Sequence, residues 1–163
     1  MERFLRTYLA AESAVAALAY AAVAALLLGE IAAREIFQTS IWGSQKIAVF
    51  AAIIAGFLGL SIATATNRHL RPQFADRWWP SGWQGGLERF GDGLSAVIYC
   101  VLGVVAAIYI SDTFENHDRA AVLYWPLWPI QLVIPYAFFS SGFRHMMFAC
   151  RRDLKPAPEA SDG

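Results

Sequence analysis

The chain has 163 residues, of which 57% are apolar, 14% aromatic and only 16% charged. Soluble domains lie nearer about 45–50% apolar and about 25% charged, so this composition excludes a disordered tail, a basic nucleic-acid-binding domain and a disulfide scaffold. Thirteen Lys+Arg against thirteen Asp+Glu leave no net charge to steer a partner, and the distribution of charge says more than its sum.

Four segments contain no ionisable Asp, Glu, Lys, Arg or His: Ser13 to Gly29, Ile47 to Asn67, Gly93 to Ser111 and Ala120 to Phe143. Each is roughly 17–24 residues long, enough to cross about 30 Å of hydrocarbon as a helix. None carries the polar stripe that a soluble bundle needs. The expected fold is therefore an all-α integral membrane protein with four transmembrane helices. They fall at about 8–30, 44–67, 91–112 and 124–149, within one domain over 1–150, with a flexible cytoplasmic tail over 151–163.

The first helix is alanine-rich from Ala10 to Ala25, and small side chains let helices approach closely in lipid. Glu12 and Glu30 bracket it, about 27 Å apart along the axis, and are expected near opposite boundaries. Glu30 and Arg34 have the i,i+4 order that favours an ion pair. Trp42 falls in the loop that follows. The second helix places Ala51, Ala55, Gly59 and Ala63 on one face, a contact stripe for a partner helix or for this chain's own bundle.

Arg68 to Phe90 interleaves Trp78, Trp79 and Trp83 with Arg71, Arg77 and Arg89, broken by Pro72, Pro80 and Gly85-Gly86. It reads as short interfacial helical segments between helices two and three. The fourth helix opens with Trp125-Pro126-Leu127-Trp128-Pro129. Pro135 removes the hydrogen bond to the carbonyl of Gln131, predicting a kink beside a polar side chain. That kink is a docking notch for a neighbouring helix or an ordinary one satisfied within the bundle.

With the N-terminus inside, the inner segments hold ten basic residues and the outer loops only Arg34, Lys46 and Arg119. This asymmetry predicts that both ends are cytoplasmic. Trp42, Trp125 and Trp128 at one boundary and Arg68, His69, Trp78, Trp79 and Trp83 at the other are the expected membrane-interface anchors. Cys100 and Cys150 lie at different depths, which argues against a disulfide.

Intramembrane charges usually mark function, and the uncharged spans offer none. A proton-coupled carrier using Glu12 is the alternative reading. Haem needs two His at one depth on facing helices; His69 and His145 are the only pair to test, and both fall beside an Arg at the wet boundary. His117 lies in the outer loop. No metal spacing, phosphate-cradling loop or nucleophile triad is present, so neither enzyme chemistry nor a cofactor is expected.

The order of these features resembles the small membrane subunit (DctQ-like) of tripartite ATP-independent periplasmic (TRAP) transporters, over about residues 10–150. The resemblance rests on Arg34-Glu35-Ile36-Phe37 after the first helix and Trp42 before the second. It rests also on Gly59 and Ala63 ahead of Asn67-Arg68-His69-Leu70, which looks like the family's R-x-x-H-I turn, and on Trp125-Pro126 and Ile134-Pro135. The chain departs from the family pattern at Gln45 and Lys46, where a Glu often stands, and at Arg71-Pro72-Gln73. The resemblance implies a subunit of the bacterial inner membrane without a substrate site of its own. Its partners would be a large permease subunit, a periplasmic substrate-binding protein and membrane lipid, in sodium-driven uptake of an organic acid such as a C4-dicarboxylate. Together these readings select Arg34, Gln45, Ala51, Ala55, Gly59, Ala63, Gln131 and Pro135 as the expected subunit interface.

Overall fold

The computed structural model describes residues 2–66 and 84–150. Among the described residues five helices follow one another: α1 (Glu2–Phe37), α2 (Ser44–Ala65), α3 (Gln84–Glu115), α4 (Trp128–Gln131) and α5 (Val133–Cys150). Strands are absent among the described residues apart from a single isolated bridge, Arg119 with Pro126. α1 packs on α2, α2 on α5, and α5 on α3, so α2 and α5 are central and α1 and α3 flank them.

The burial pattern explains that order. On α1 the least exposed positions include Glu12, Ala16, Ala19, Val23, Leu26, Glu30 and Ala33; on α3 they include Asp92, Ala96, Tyr99, Gly103, Ala106, Ile110 and Thr113. Both runs step alternately by four and three, the seam of a left-handed helix pair. Their small side chains permit close approach in the absence of a hydrophobic drive between helices in lipid. The opposite faces stay open: Leu18 and Leu28 on α1, and Val97, Val101, Val105 and Ile108 on α3, are exposed. α5 instead buries Pro135, Ala137, Ser141, Gly142, Arg144, His145 and Phe148, which wrap around it because it has neighbours on two sides.

Three helices are long and apolar enough to cross a membrane, over Thr7–Phe37, Ser44–Ala65 and Arg89–Glu115. The fourth expected span differs from its prediction. The helix begins at Trp128 and is interrupted at Leu132; the expected start near 124 falls in a loop. Val122 (φ 79°) and Tyr124 (φ 56°) are left-handed, which no helix accommodates. Pro135 has no N–H for the Gln131 carbonyl, and its ring crowds that carbonyl, so the helix breaks between them. The remaining 18-residue α5 contains Arg144 and His145.

α3 starts seven residues earlier than the expected 91, so the end of the expected interfacial segment belongs to a continuous helix. The rest of that segment, Arg68 to Trp83, and the tail over 151–163 lie outside the described residues.

Helix ends are closed by specific devices. Gln38 (φ 53°) caps α1, its N–H donating to the Arg34 carbonyl at 3.1 Å. His117 (φ 56°) ends α3 in a Schellman arrangement: Asp118 N–H donates to Thr113 O (3.1 Å) and His117 N–H to Phe114 O (3.2 Å). Gly43 (φ 76°) precedes α2, and a Cβ there would stand 2.7 Å from Leu123 Cδ2. Leu123 is thus seated in a notch that only glycine leaves open, which fastens the α3–α4 loop to the α1–α2 turn.

Candidate functional site

Side-chain chemistry gathers where the start of α1, the end of α2, the start of α3 and the end of α5 meet. Glu12, 4% exposed, is the centre of the larger cluster. Arg144 Nη2 donates to its Oε2 at 2.6 Å. Its Oε1 accepts from Ser61 Oγ (2.8 Å), Tyr136 OH (3.0 Å) and Ser140 Oγ (3.3 Å). Ser61 and Ser140 hydroxyls are 2.9 Å apart, and the Tyr136 hydroxyl also lies 2.6 Å from that of Tyr8. The Arg144 guanidinium stands 5.3 Å from the centre of the Tyr8 ring. Every oxygen of the carboxylate is therefore occupied, as a buried charge requires.

Arg144 and His145 are neighbours in sequence, but about 100° of helical rotation aims them apart. His145 turns toward α3. Its Nδ1 lies 3.3 Å from Asp92 Oδ1, and its ring stacks on Tyr99 (centroids 5.5 Å apart, 11° between planes). Phe138 completes this side, edge-on to Phe57 of α2 at 5.7 Å and near Tyr99 at 6.3 Å. Among the described residues no group of three or more His, Cys, Asp or Glu is placed to hold a metal ion.

At the opposite end, Glu30 performs a local task. The pair with Arg34 forms at 3.3 Å, as the spacing predicts. The same carboxylate accepts from Ser40 Oγ (2.6 Å), Ile41 N–H (2.9 Å) and Ser44 Oγ (2.8 Å). Gly43 supplies no capping side chain to α2, so α1 provides the negative group at that helix N-terminus. Glu30→Ala is expected to release the turn: the Ile41 amide should lose protection from hydrogen exchange while amides in the middle of α2 keep theirs. Unchanged protection at Ile41 would contradict this role.

The sequence-selected residues divide into several groups. Ala55 is fully buried and Pro135 is buried by this chain's own helices, so neither is open to a partner. Ala51, Gly59 and Ala63 are half-buried, and a Cβ at Gly59 would meet nothing within 4 Å. Gln45 is exposed, as is the Arg34 side chain. Gln131 is half-buried, and its Oε1 is enclosed without a hydrogen-bond donor. Trp42 and Trp125 are exposed at the turn end, and Trp128 packs edge-on against Phe114 at 5.6 Å. Arg68, His69, Trp78, Trp79 and Trp83 lie outside the described residues.

Two groups expected near the membrane boundary are buried. Glu12 is enclosed between helices and paired with Arg144. His145, read as lying at the wet boundary, bonds Asp92 through Nδ1 and stacks on Tyr99. Sequence reasoning missed Arg144, Asp92, Ser61, Ser140 and Tyr136 as partners. The available signal was that α5 carries the adjacent polar pair Arg144 and His145, with acidic residues on α1 and α3 to meet them.

The fold and these contacts define a class: a helical membrane protein in which buried Glu12, Asp92, Arg144 and His145 join its own helices. The chain belongs to the DctQ family, whose model, described as "Tripartite ATP-independent periplasmic transporters, DctQ component", matches residues 23–154. It is thus a component of a TRAP transporter, from a family of transporter components and not of enzymes. No curated protein and no solved structure matches the chain.

Proposed function

We propose that the chain is the small permease subunit that acts as a fixed scaffold for a large permease subunit in the bacterial inner membrane. The family match over residues 23–154 carries this reading. The internal network supports it, because the Glu12 carboxylate is engaged by a guanidinium and three hydroxyls that join α1, α2 and α5. For the same reason the carrier reading of Glu12 is not favoured.

In this reading α5 is the fourth membrane crossing, and both chain ends are cytoplasmic. The surplus of basic residues on that side supports the orientation. The Arg144–Glu12 ion pair and the His145–Asp92 contact make an 18-residue helix with Arg144 and His145 tolerable at membrane depth. Trp42, Trp125 and Trp128, with Arg68, His69, Trp78, Trp79 and Trp83 opposite, anchor the two interfaces. The surfaces left open for the large subunit include the small-residue face of α2 (Ala51, Gly59, Ala63), Arg34, Gln45 and the region of Gln131. A periplasmic binding protein delivers an organic acid such as a C4-dicarboxylate, and a sodium gradient drives its uptake.

Co-expression with the large subunit tests the assignment. The two are expected to co-purify in detergent, and deletion of this chain is expected to abolish uptake. Independent migration of the two proteins together with intact uptake in the deletion strain would refute the assignment.

A further inference from the structure

We infer that α5 is held by a two-sided polar clamp, in which Glu12 of α1 pairs with Arg144 and Asp92 of α3 bonds the adjacent His145, so that both flanking helices are fastened to the centre of the bundle. The inference rests on the reading of α5 as a membrane crossing.

The geometry makes this more than two separate contacts. α1 packs mainly on α2 and α3 mainly on α5, so the chain consists of two helix pairs that share one seam, α2 against α5. The clamp lies at one end of that seam. On one side Arg144 reaches Glu12 at 2.6 Å, across 132 residues of sequence. Ser61 of α2 and Ser140 of α5 meet the same carboxylate, so three helices converge on it. On the other side His145 reaches Asp92 at 3.3 Å and stacks on Tyr99, tying α5 to α3.

Arg144 and His145 are respectively 6% and 8% exposed, although they lie in the helix least suited by composition to lipid. Unpaired, the Arg144 cation there carries an uncompensated desolvation cost, which its hydrogen-bonded carboxylate partner offsets. Each acidic partner lies on a helix apolar enough to cross a membrane unaided. The clamp therefore couples the placement of α5 to two helices that need no such help.

Hydrogen exchange on the full-length chain in lipid nanodiscs tests the clamp. Glu12→Gln is expected to accelerate exchange at residues 8–16 of α1 and 136–148 of α5 by at least about tenfold, the scale of an orphaned buried charge. Asp92→Asn should do so at residues 90–100 and 141–148, leaving α1 unchanged. The double variant Glu12→Gln/Arg144→Gln should recover part of the protection lost in either single variant, since no charge is then stranded. Additive losses in the double variant, or unchanged exchange in Glu12→Gln, would overturn the clamp. Should the Glu12 and Arg144 single variants fail to accumulate, Tyr136→Phe, which removes only one hydroxyl from the carboxylate, must still accelerate exchange in α1. No change there would overturn the clamp as well. Labelling of cysteines placed at each chain end of the otherwise unaltered protein reports the topology separately, so a failed crossing and a failed clamp are told apart.

Discussion

Arg144→Met is expected to destabilise the bundle by about 3–5 kcal/mol, the range for breaking a buried ion pair from one side. The loss has a specific source. Met fills much of the volume of the Arg stem but leaves the Glu12 carboxylate enclosed with three hydroxyls and no cation. The contact with the Tyr8 ring disappears too. By contrast, Ser61→Ala removes one hydroxyl from a carboxylate that retains its guanidinium. Single hydrogen bonds between membrane helices average only about 0.6 kcal/mol, so its cost should be several-fold smaller. Unfolding of the purified chain by graded SDS in bicelles measures both. Equal costs for the two variants would mean that the charge is irrelevant to the network.

Gly142→Leu is expected to force α3 and α5 apart and cost about 3 kcal/mol, near the upper end of overpacking penalties. A Cβ at position 142 would lie 3.1 Å from Cys100 Sγ and 3.4 Å from the Ala96 carbonyl oxygen, so the remaining Leu atoms have nowhere to go. Gly103 offers an instructive contrast. Its Cβ would meet the Phe139 ring at 2.8 Å, but Phe139 is 42% exposed and is able to swing outward. Gly103→Ala should therefore be much milder. Unfolding in bicelles ranks the two, and thiol labelling mapped to Cys100 reports the opening directly. Gly142→Leu with wild-type stability and an unreactive Cys100 would disprove the close contact.

The parts of the fold that could be read from sequence are those that lipid dictates. Long uncharged runs locate α1, α2 and α3, because the hydrocarbon admits little else. The same criterion concealed the network. Glu12 stands immediately before the first uncharged run and Arg144 immediately after the last, so both read as edges of spans. Ionisable residues at a span's end belong to water or to one another, and only the packing of α1 beside α5 decides which. The early start of α3 was hidden by Glu88 and Arg89, which interrupt the apolar run without interrupting the helix.

The α3–α4 loop was illegible for a different reason. Left-handed residues usually announce themselves as Gly or Asn, whereas here they are Val122 and Tyr124. Tertiary contact fixes them, with Leu123 between them inserted at Gly43. The α1 seam was present in the spacing of Glu12, Ala16, Ala19, Val23, Leu26, Glu30 and Ala33. Alanine on nearly every face of that helix masks the periodicity.

α1 has 36 residues against 22 in α2. At 1.5 Å per residue these are rods of roughly 54 Å and 33 Å. The shorter one matches a bilayer of about 30 Å standing almost upright. The longer one exceeds it even at a steep tilt of about 40°, when only some 39 Å of its length would be immersed. About ten residues' worth of α1 then lies outside the hydrocarbon and among the lipid headgroups, and a more upright α1 overreaches the whole bilayer of about 45 Å.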